Sequence, residues 1–229
     1  MDSDAVTIIV PTINHRPDLL ARCTAEVERT MRTGDRLIVA EGGTFAENCN
    51  AGAAEATTPY VILLNDDTKV DQDDWIDRLC DPFTDPTVGV VGCRLIYPDG
   101  KLQHTGIFFD MPNGVLTAIN RTWDVDSGGV SAVTGACLAI RTDLFRDLGG
   151  FDEGYRNGLE DVDLCLRARM KGYTVWYENG CTVIHHESSS GPRRWEFVRE
   201  NIQRFAEMWH VREEGGDTAP ADGAVLGEG

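Results

Sequence analysis

Residues 6–68 read VTIIVPTINHRPDLLARCTAEVERTMRTGDRLIVAEGGTFAENCNAGAAEATTPYVILLNDDT, and three short apolar runs decide what this stretch can be. Val6–Val10, bounded by Pro11, Leu37–Ala40 and Tyr60–Leu64 have the length and the β-branched or leucine-rich make-up of strands buried on both faces. Between the first two, Leu20, Cys23, Val27 and Met31 recur at helical spacing, which predicts a helix from near Pro17, capped by Asn14 and ended by Gly34. Ala46–Ala56 reads as a second helix. Strands alternating with helices form parallel βαβ units. Ligands of such sheets collect beyond the carboxyl ends of the strands. Val10-Pro11-Thr12, Ala40-Glu41-Gly42 and Asn65-Asp66-Asp67 are therefore expected along one edge.

The second half has a different rhythm. Arg94–Tyr97 and Leu102–Phe109 flank Pro98-Asp99-Gly100 and predict a hairpin. Ser131–Arg141 reads as a strand leading into a short helix at Asp143–Leu148. Glu160–Lys171 reads as a helix closed by Gly172, followed by short strands at Thr174–Tyr177 and Thr182–Ile184. Trp195, Val198, Ile202, Phe205 and Trp209 mark a last amphipathic helix suited to core or dimer packing, so a homodimer is one expected assembly. Beyond Arg212 the composition offers little to bury, and a disordered tail over 212–229 is expected. With no internal repeat, the expectation is one domain over 1–211, a nucleotide half at about 1–93 and a catalytic half at about 94–211.

A formal charge of −17 speaks against nucleic acid as a partner, since phosphates would be repelled. It leaves a nucleotide open, because a cation held by carboxylates reverses the local field. The seven cysteines are dispersed without a CxxC pair, as buried thiols of a reducing compartment are. The start MDSDAVTIIVPT contains neither a signal peptide nor a membrane span. A cytoplasmic protein is expected.

Three segments carry chemistry. In Leu63–Thr68, LLNDDT, two carboxylates follow a buried strand, a costly placement unless a cation or ligand meets them. Mg2+ or Mn2+ takes hard oxygen ligands, one or two of them protein carboxylates. Chain neighbours on an extended segment point opposite ways, so Asp66 and Asp67 are expected to do different jobs. A solvated turn gives the same dipeptide, whereas the spacing lacks the glycine of a calcium-binding EF-hand loop. In Gly158–Gly172, GLEDVDLCLRARMKG, Glu160 and Asp161 open a helix after a glycine-containing loop. Acids there complement the helix dipole, and a carboxylate so placed also suits a general base. In Val183–Ser190, VIHHESSS, His185 and His186 point to opposite faces of a strand end, where either can be a metal ligand or a structural residue.

In this order, together with GKLQHTGIFF and TGACLAIRTDLFRDLGGFDEGY, these segments resemble the inverting family 2 glycosyltransferases, in particular their rhamnosyltransferase-like and O-antigen-type members. The resemblance runs from Val6 to about Trp209. It implies the GT-A fold, an α/β architecture in which a Rossmann-like, mostly parallel central sheet is flanked by helices and joined by a smaller antiparallel acceptor-side region. It further implies a metal-dependent transfer of sugar from a nucleotide-diphosphate donor to a hydroxyl of a glycan, lipid-linked, protein or small-molecule acceptor.

By the same resemblance, Asn65-Asp66-Asp67 is similar to the DxD-type signature, with Asn65 and Asp66 at the donor and Asp67 on Mn2+ or Mg2+. Asp161 matches the catalytic base, with Glu160 as an orienting residue. His185 matches a late histidine at the metal, ahead of His186. Pro11, Thr12 and Glu41 lie where the family holds the base of the nucleotide. Asp152, of Gly-Gly-Phe-Asp, and His104, of the QHxG pattern, match structural positions. Ala40-Glu41-Gly42-Gly43 departs from the usual acidic pattern after the second strand. The alternatives are a nucleotide-sugar or cation-binding module without turnover and a nucleotidyltransferase. The second normally has a glycine-rich basic loop where this chain has Pro11-Thr-Ile-Asn-His-Arg16.

Overall fold

The computed structural model describes residues 5–13, 15–110, 117–187 and 197–209. Asn14, Trp195 and the 212–229 segment lie outside the described residues. The first half alternates as its pattern requires: β1 (Val6–Thr12), α1 (Pro17–Thr30), β2 (Arg36–Glu41), α2 (Phe45–Ala54) and β3 (Tyr60–Leu64). Strand β1 lies between β2 and β3 and is parallel to both. Side chains alternate across the sheet. Ile8, Val10, Ile62 and Leu64 pack on one layer with Cys23 and Val27 of α1, and Ile9, Val61 and Leu63 pack on the other with Ala46 and Cys49 of α2. Strands filled on both faces need continuous apolar runs, and these sequences supply them.

After β3 come β4 (Thr68–Lys69), α3 (Trp75–Cys80) and the long strand β5 (Val88–Ile96). Trp75 is fully buried, and its indole N–H donates to Thr30 Oγ1 at 2.8 Å, tying α3 to α1. The chain continues through β6 (Leu102–His104), β7 (Ile107–Asp110), β8 (Thr117–Asn120), β9 (Gly128–Gly129), β10 (Cys137–Arg141), α4 (Thr142–Asp147), α5 (Glu160–Met170), β11 (Thr174–His185) and α6 (Val198–Met208). The main sheet has the order β2-β1-β3-β10-β5-β11-β4, with β6 on β5 and β9 on β11; β7 and β8 form a separate antiparallel pair. Because β10 is antiparallel to both β3 and β5, and β11 is parallel to β5, strands β1, β2, β3, β5 and β11 all end at one edge. The chain enters β10 at that same edge.

Four expectations shift in detail. The predicted hairpin exists between β5 and β6, but Gly106, at φ +108°, turns the chain before Ile107, and β7 leaves the main sheet. Ser131–Ala136 is not strand; only Cys137–Arg141 of that run is. The two predicted short strands are one, β11, whose pairing with β5 slips between Glu178 and Thr182. Helix α1 has Arg16 at its N-cap without a side-chain hydrogen bond; Pro17 in its first turn supplies the start instead. All seven cysteines are buried free thiols, as expected. Among the described residues no helix is long and apolar enough to cross a membrane.

Candidate active site

The convergent strand ends border a cleft of about 750 Å3 whose walls include Pro11, Thr12, Asn65, Asp66, Asp67, Gln103, His104, Thr134, Gly135, Glu160, Asp161 and His185. Three segments far apart in the chain thus meet around one hollow. Asp66 and Asp67 are the central residues of a turn closed by the Thr68 amide donating to the Asn65 carbonyl, not of the extended segment expected, and they still separate. Asp66 Oδ2 accepts from Thr12 Oγ1 on β1, whereas Asp67 Oδ1 lies 3.1 Å from His185 Nε2 at the end of β11. Burial raises the Asp66 carboxyl above the ordinary aspartate value; the Thr12 hydrogen bond opposes this and the charge of Asp67 adds to it. His186 faces the other way, its Nε2 2.9 Å from a guanidinium nitrogen of Arg22 on α1.

The hydrogen bonds around His185 set its tautomer. The amide nitrogen of Gln103 donates to Glu187 Oε2 and to the His185 carbonyl, so its oxygen is the acceptor that stands 2.8 Å from His185 Nδ1. Nδ1 therefore carries the proton. Nε2 lies 3.3 Å from the Asn65 amide nitrogen and beside the Asp67 carboxylate. His185 Nε2 and Asp67 Oδ1, on residues 9 % and 5 % exposed, thus place a nitrogen and an oxygen side by side at the cleft wall. A hard oxygen plus an imidazole nitrogen suits Mn2+ or Mg2+ completed by substrate phosphates. Among the described residues no three His, Cys, Asp or Glu side chains converge as a closed metal cage. The donor set fits an open site, filled from the substrate side.

The carboxylates at the start of α5 line the same cleft. Asp161 Oδ2 accepts from the Gly135 amide at 2.8 Å and Oδ1 from the Val162 amide at 2.8 Å. Burial raises its carboxyl against the pull of these bonds and of the Thr134 hydroxyl. Glu160 is 5 % exposed, and its Oε2 accepts from the Gly158 amide at 2.6 Å. Burial, reinforced by the neighbouring Asp161 charge, pushes Glu160 up to about 8. Burial thus pushes both carboxyls up, opposed at Asp161 by its hydrogen bonds and reinforced at Glu160 by the neighbouring charge. Leu159 reaches this helix start at φ +72° and Asn157 at φ +57°, a backbone held in place from outside: Asn201 of α6 bonds both the N–H and the C=O of Arg156, and Arg204 clamps Asp152 with two bonds of 2.9 and 2.7 Å. Asp152 is thereby tied to α6 and is not among the described residues lining the cleft. Asp163, fully buried, serves Arg167 and the Trp209 indole.

Glu41 is the one expected site residue that the structure leaves out of the cleft wall. It is exposed at the end of β2, and Gly42, at φ +105°, carries the chain round so that Gly43, Thr44, Phe45, Glu47 and Asn48 line that side instead. Thr44 and Glu47 form a capping box, a signature legible in the spacing Thr-x-x-Glu. Asn48, 3 % exposed, accepts from the Gly43 amide and donates to the carbonyls of Thr12 and Gly43. Sequence reasoning also missed Thr134-Gly135, whose only signal was a glycine inside an apolar run, and Arg156. Arg156 is the single Arg or Lys among the described residues lining the cleft, and its guanidinium lies 4.9 Å from the Phe197 ring centroid.

Comparison with known proteins agrees with this architecture. Residues 60–209 match the family model described as "Glycosyl transferase family group 2". The chain is 34 % identical over 168 residues to the O-antigen biosynthesis protein RfbC of Myxococcus xanthus, covering 66 % of this chain and 12 % of that one. It is 39 % identical over 157 residues to N-acetylglucosaminyl-diphospho-decaprenol L-rhamnosyltransferase of Mycobacterium tuberculosis, covering 58 % and 49 %. The crystal structure of GalNAc-T7 with UDP, GalNAc and Mn2+ superposes with a TM-score of 0.67 at 14 % identity, covering 90 % of this chain and 48 % of that one. The chain thus spans about an eighth to a half of the two curated relatives described. With the parallel sheet, the cleft and the ordered motifs in place, the chain belongs to glycosyltransferase family 2 and has the GT-A fold.

Proposed function

We propose that this chain transfers a sugar, with inversion, from a nucleotide-diphosphate donor to an acceptor hydroxyl, with Asp161 as general base and Asp67 and His185 holding a divalent ion. The observation that carries the reading is the shared cleft, lined both by a carboxylate oriented by two backbone amides and by a carboxylate–imidazole pair that can ligate a cation. Thr12, Asp66 and Asn65 lie on the side assigned to the donor, and the α2 start takes the place first given to Glu41. Relatives named for O-antigen biosynthesis and for a decaprenol-linked rhamnosyl transfer favour a glycan or lipid-linked acceptor.

In the reaction, the acceptor oxygen bonds to the anomeric carbon as the bond from that carbon to the diphosphate oxygen breaks. The electron pair leaves with the diphosphate, and the hydroxyl proton passes to Asp161. When bound, Mn2+ or Mg2+ supplies Lewis acidity to the departing diphosphate. Glu160 keeps its proton near neutrality, so one negative charge rather than two faces the acceptor, and Asp161 takes the proton at a fixed position. Arg156 is placed to meet anionic oxygens at the mouth of the cleft. General base catalysis contributes roughly two to four powers of ten. Orientation and charge stabilisation supply the rest.

A thermal-shift panel of UDP-, GDP- and TDP-sugars with Mn2+ tests the reading, followed by nucleoside-diphosphate release from the best binder. A ligand at a hundred times its Kd stabilises the native state by about 2.7 kcal/mol, roughly 5–10 °C in a chain of this size. One nucleotide class is expected to give such a shift only with Mn2+ and to be turned over. A shift without release supports a binding module, and neither shift nor release across the panel overturns the proposal.

A further inference from the structure

We propose that the dipeptide Gln103-His104 positions both arms of the cleft at once, Gln103 setting the ring of His185 and His104 setting the Thr134–Gly135 turn that holds Asp161. The inference rests on the function proposed above and assigns a positioning task to two residues whose motif otherwise reads as structural. Both lie on the three-residue strand β6, where successive side chains diverge, and both are almost fully buried, at 4 % and 2 % exposure.

Each uses the same device. The Gln103 amide is oriented by its donors to Glu187 and the His185 carbonyl, and its oxygen then fixes the proton on His185 Nδ1. On the other side, Asn120 Nδ2 donates to the Gln103 carbonyl at 2.8 Å, so Asn120 Oδ1 is the acceptor beside His104 Nδ1. His104 Nε2 is therefore unprotonated and accepts from the Thr134 amide at 3.4 Å. The next amide in the chain, that of Gly135, binds Asp161. Burial lowers His104 to about 4, which keeps this acceptor neutral near pH 7. An amide dictates a tautomer in each arm, and the second ring nitrogen of each imidazole faces the working parts: Asp67 in one, the base-holding turn in the other. Residues that only filled space would need neither tautomer defined.

The test separates the arms in the full chain, with Mn2+ alone as the binding probe, read by the EPR signal of free Mn2+, and Mn2+-dependent hydrolysis of the preferred sugar nucleotide as the turnover probe. Gln103→Leu is expected to weaken Mn2+ binding 10–100-fold, the usual effect of losing the partner behind a metal-binding histidine, while kcat at saturating Mn2+ stays within about threefold of wild type. His104→Leu is expected to lower kcat tenfold or more with Mn2+ affinity unchanged, and His104→Gln, which keeps an acceptor, recovers part of it. Should His104→Leu fail to fold, the exposed Asn120→Ala releases the same tautomer and is expected to lower kcat without altering Mn2+ affinity. Losses of Mn2+ affinity and kcat in parallel in both arms, or no change in either, overturn the inference. A wild type that binds Mn2+ but turns over no sugar nucleotide counts instead against the proposed function, and the Mn2+ affinity of Gln103→Leu then decides the positioning role by itself.

Discussion

Replacing Glu160 by glutamine should make the protein more stable at high pH, an unusual direction for a change in an active site. Glu160 is buried beside a second acid, and its carboxyl is pushed from an ordinary 4.5 to about 8. A proton is thus held more tightly in the native state than in the unfolded chain. Its stabilisation is fully present below pH 4.5 and is lost as pH rises through about 8. Each tenfold difference in proton affinity is worth about 1.4 kcal/mol, which sets a ceiling of roughly 5 kcal/mol. Part of the push comes from Asp161, which can share the proton, so about half the ceiling is expected. Glutamine stays neutral at every pH and keeps an oxygen for the Gly158 amide, now 2.6 Å from Glu160 Oε2. Urea unfolding of both proteins at pH 5, 7 and 9 and constant ionic strength reads the effect. The two stabilities should be close at pH 5, and the variant should lead by about 2–3 kcal/mol at pH 9. Curves that run parallel with pH would refute the claim that Glu160 is held neutral.

Three further outcomes follow from particular contacts. Gly92→Ala on β5 would bring a Cβ to 2.4 Å from Val133 Cβ, and overpacking of this kind should cost about 1–3 kcal/mol in urea unfolding. Asp67→Asn and His185→Ala should each weaken Mn2+ binding, and the double variant should fall short of the summed losses, since the two groups face one another at 3.1 Å and residues acting on one ion are not independent; EPR of free Mn2+ measures all three. Arg156→Ala should weaken the preferred nucleoside diphosphate by roughly ten- to a hundredfold, the worth of a charge-assisted hydrogen bond, while leaving the affinity for the corresponding nucleoside unchanged in calorimetry.

Much of the fold was open to sequence reasoning because β1, β2 and β3 are buried on both faces and their apolar runs have no other use. The elements missed were those whose reasons lie elsewhere in the chain. Strand β4 is two residues long and α3 six, too short for periodicity to register. The slip in β11 is set by Gln72, which donates to the Gly180 carbonyl and accepts from the Thr182 amide. Ser131–Ala136 looked like strand because Ala132 and Val133 are buried, yet this segment must present the Gly135 amide to Asp161, which a continuous ladder would consume.

The site divides in the same way. Asp66-Asp67 was visible as carboxylates after a buried strand, Glu160-Asp161 as acids at a helix start and His185 as an imidazole at a strand end, and the resemblance to the family joined them. The placement of Glu41 was not, because one glycine after β2 decides which residues turn inward. His104 was seen and assigned to structure, since one imidazole in an apolar strand gives no sign of the turn it supports.

The central claim is that Asp161 removes the acceptor proton, and Asp161→Asn tests it with little change of shape, because an asparagine oxygen can still accept from the Gly135 amide. Single-turnover rates with the preferred sugar nucleotide and saturating Mn2+, measured beside donor affinity in the same samples, should show a loss of about 10²- to 10⁴-fold in rate with donor Kd unchanged. A variant that turns over at the wild-type rate would contradict the account.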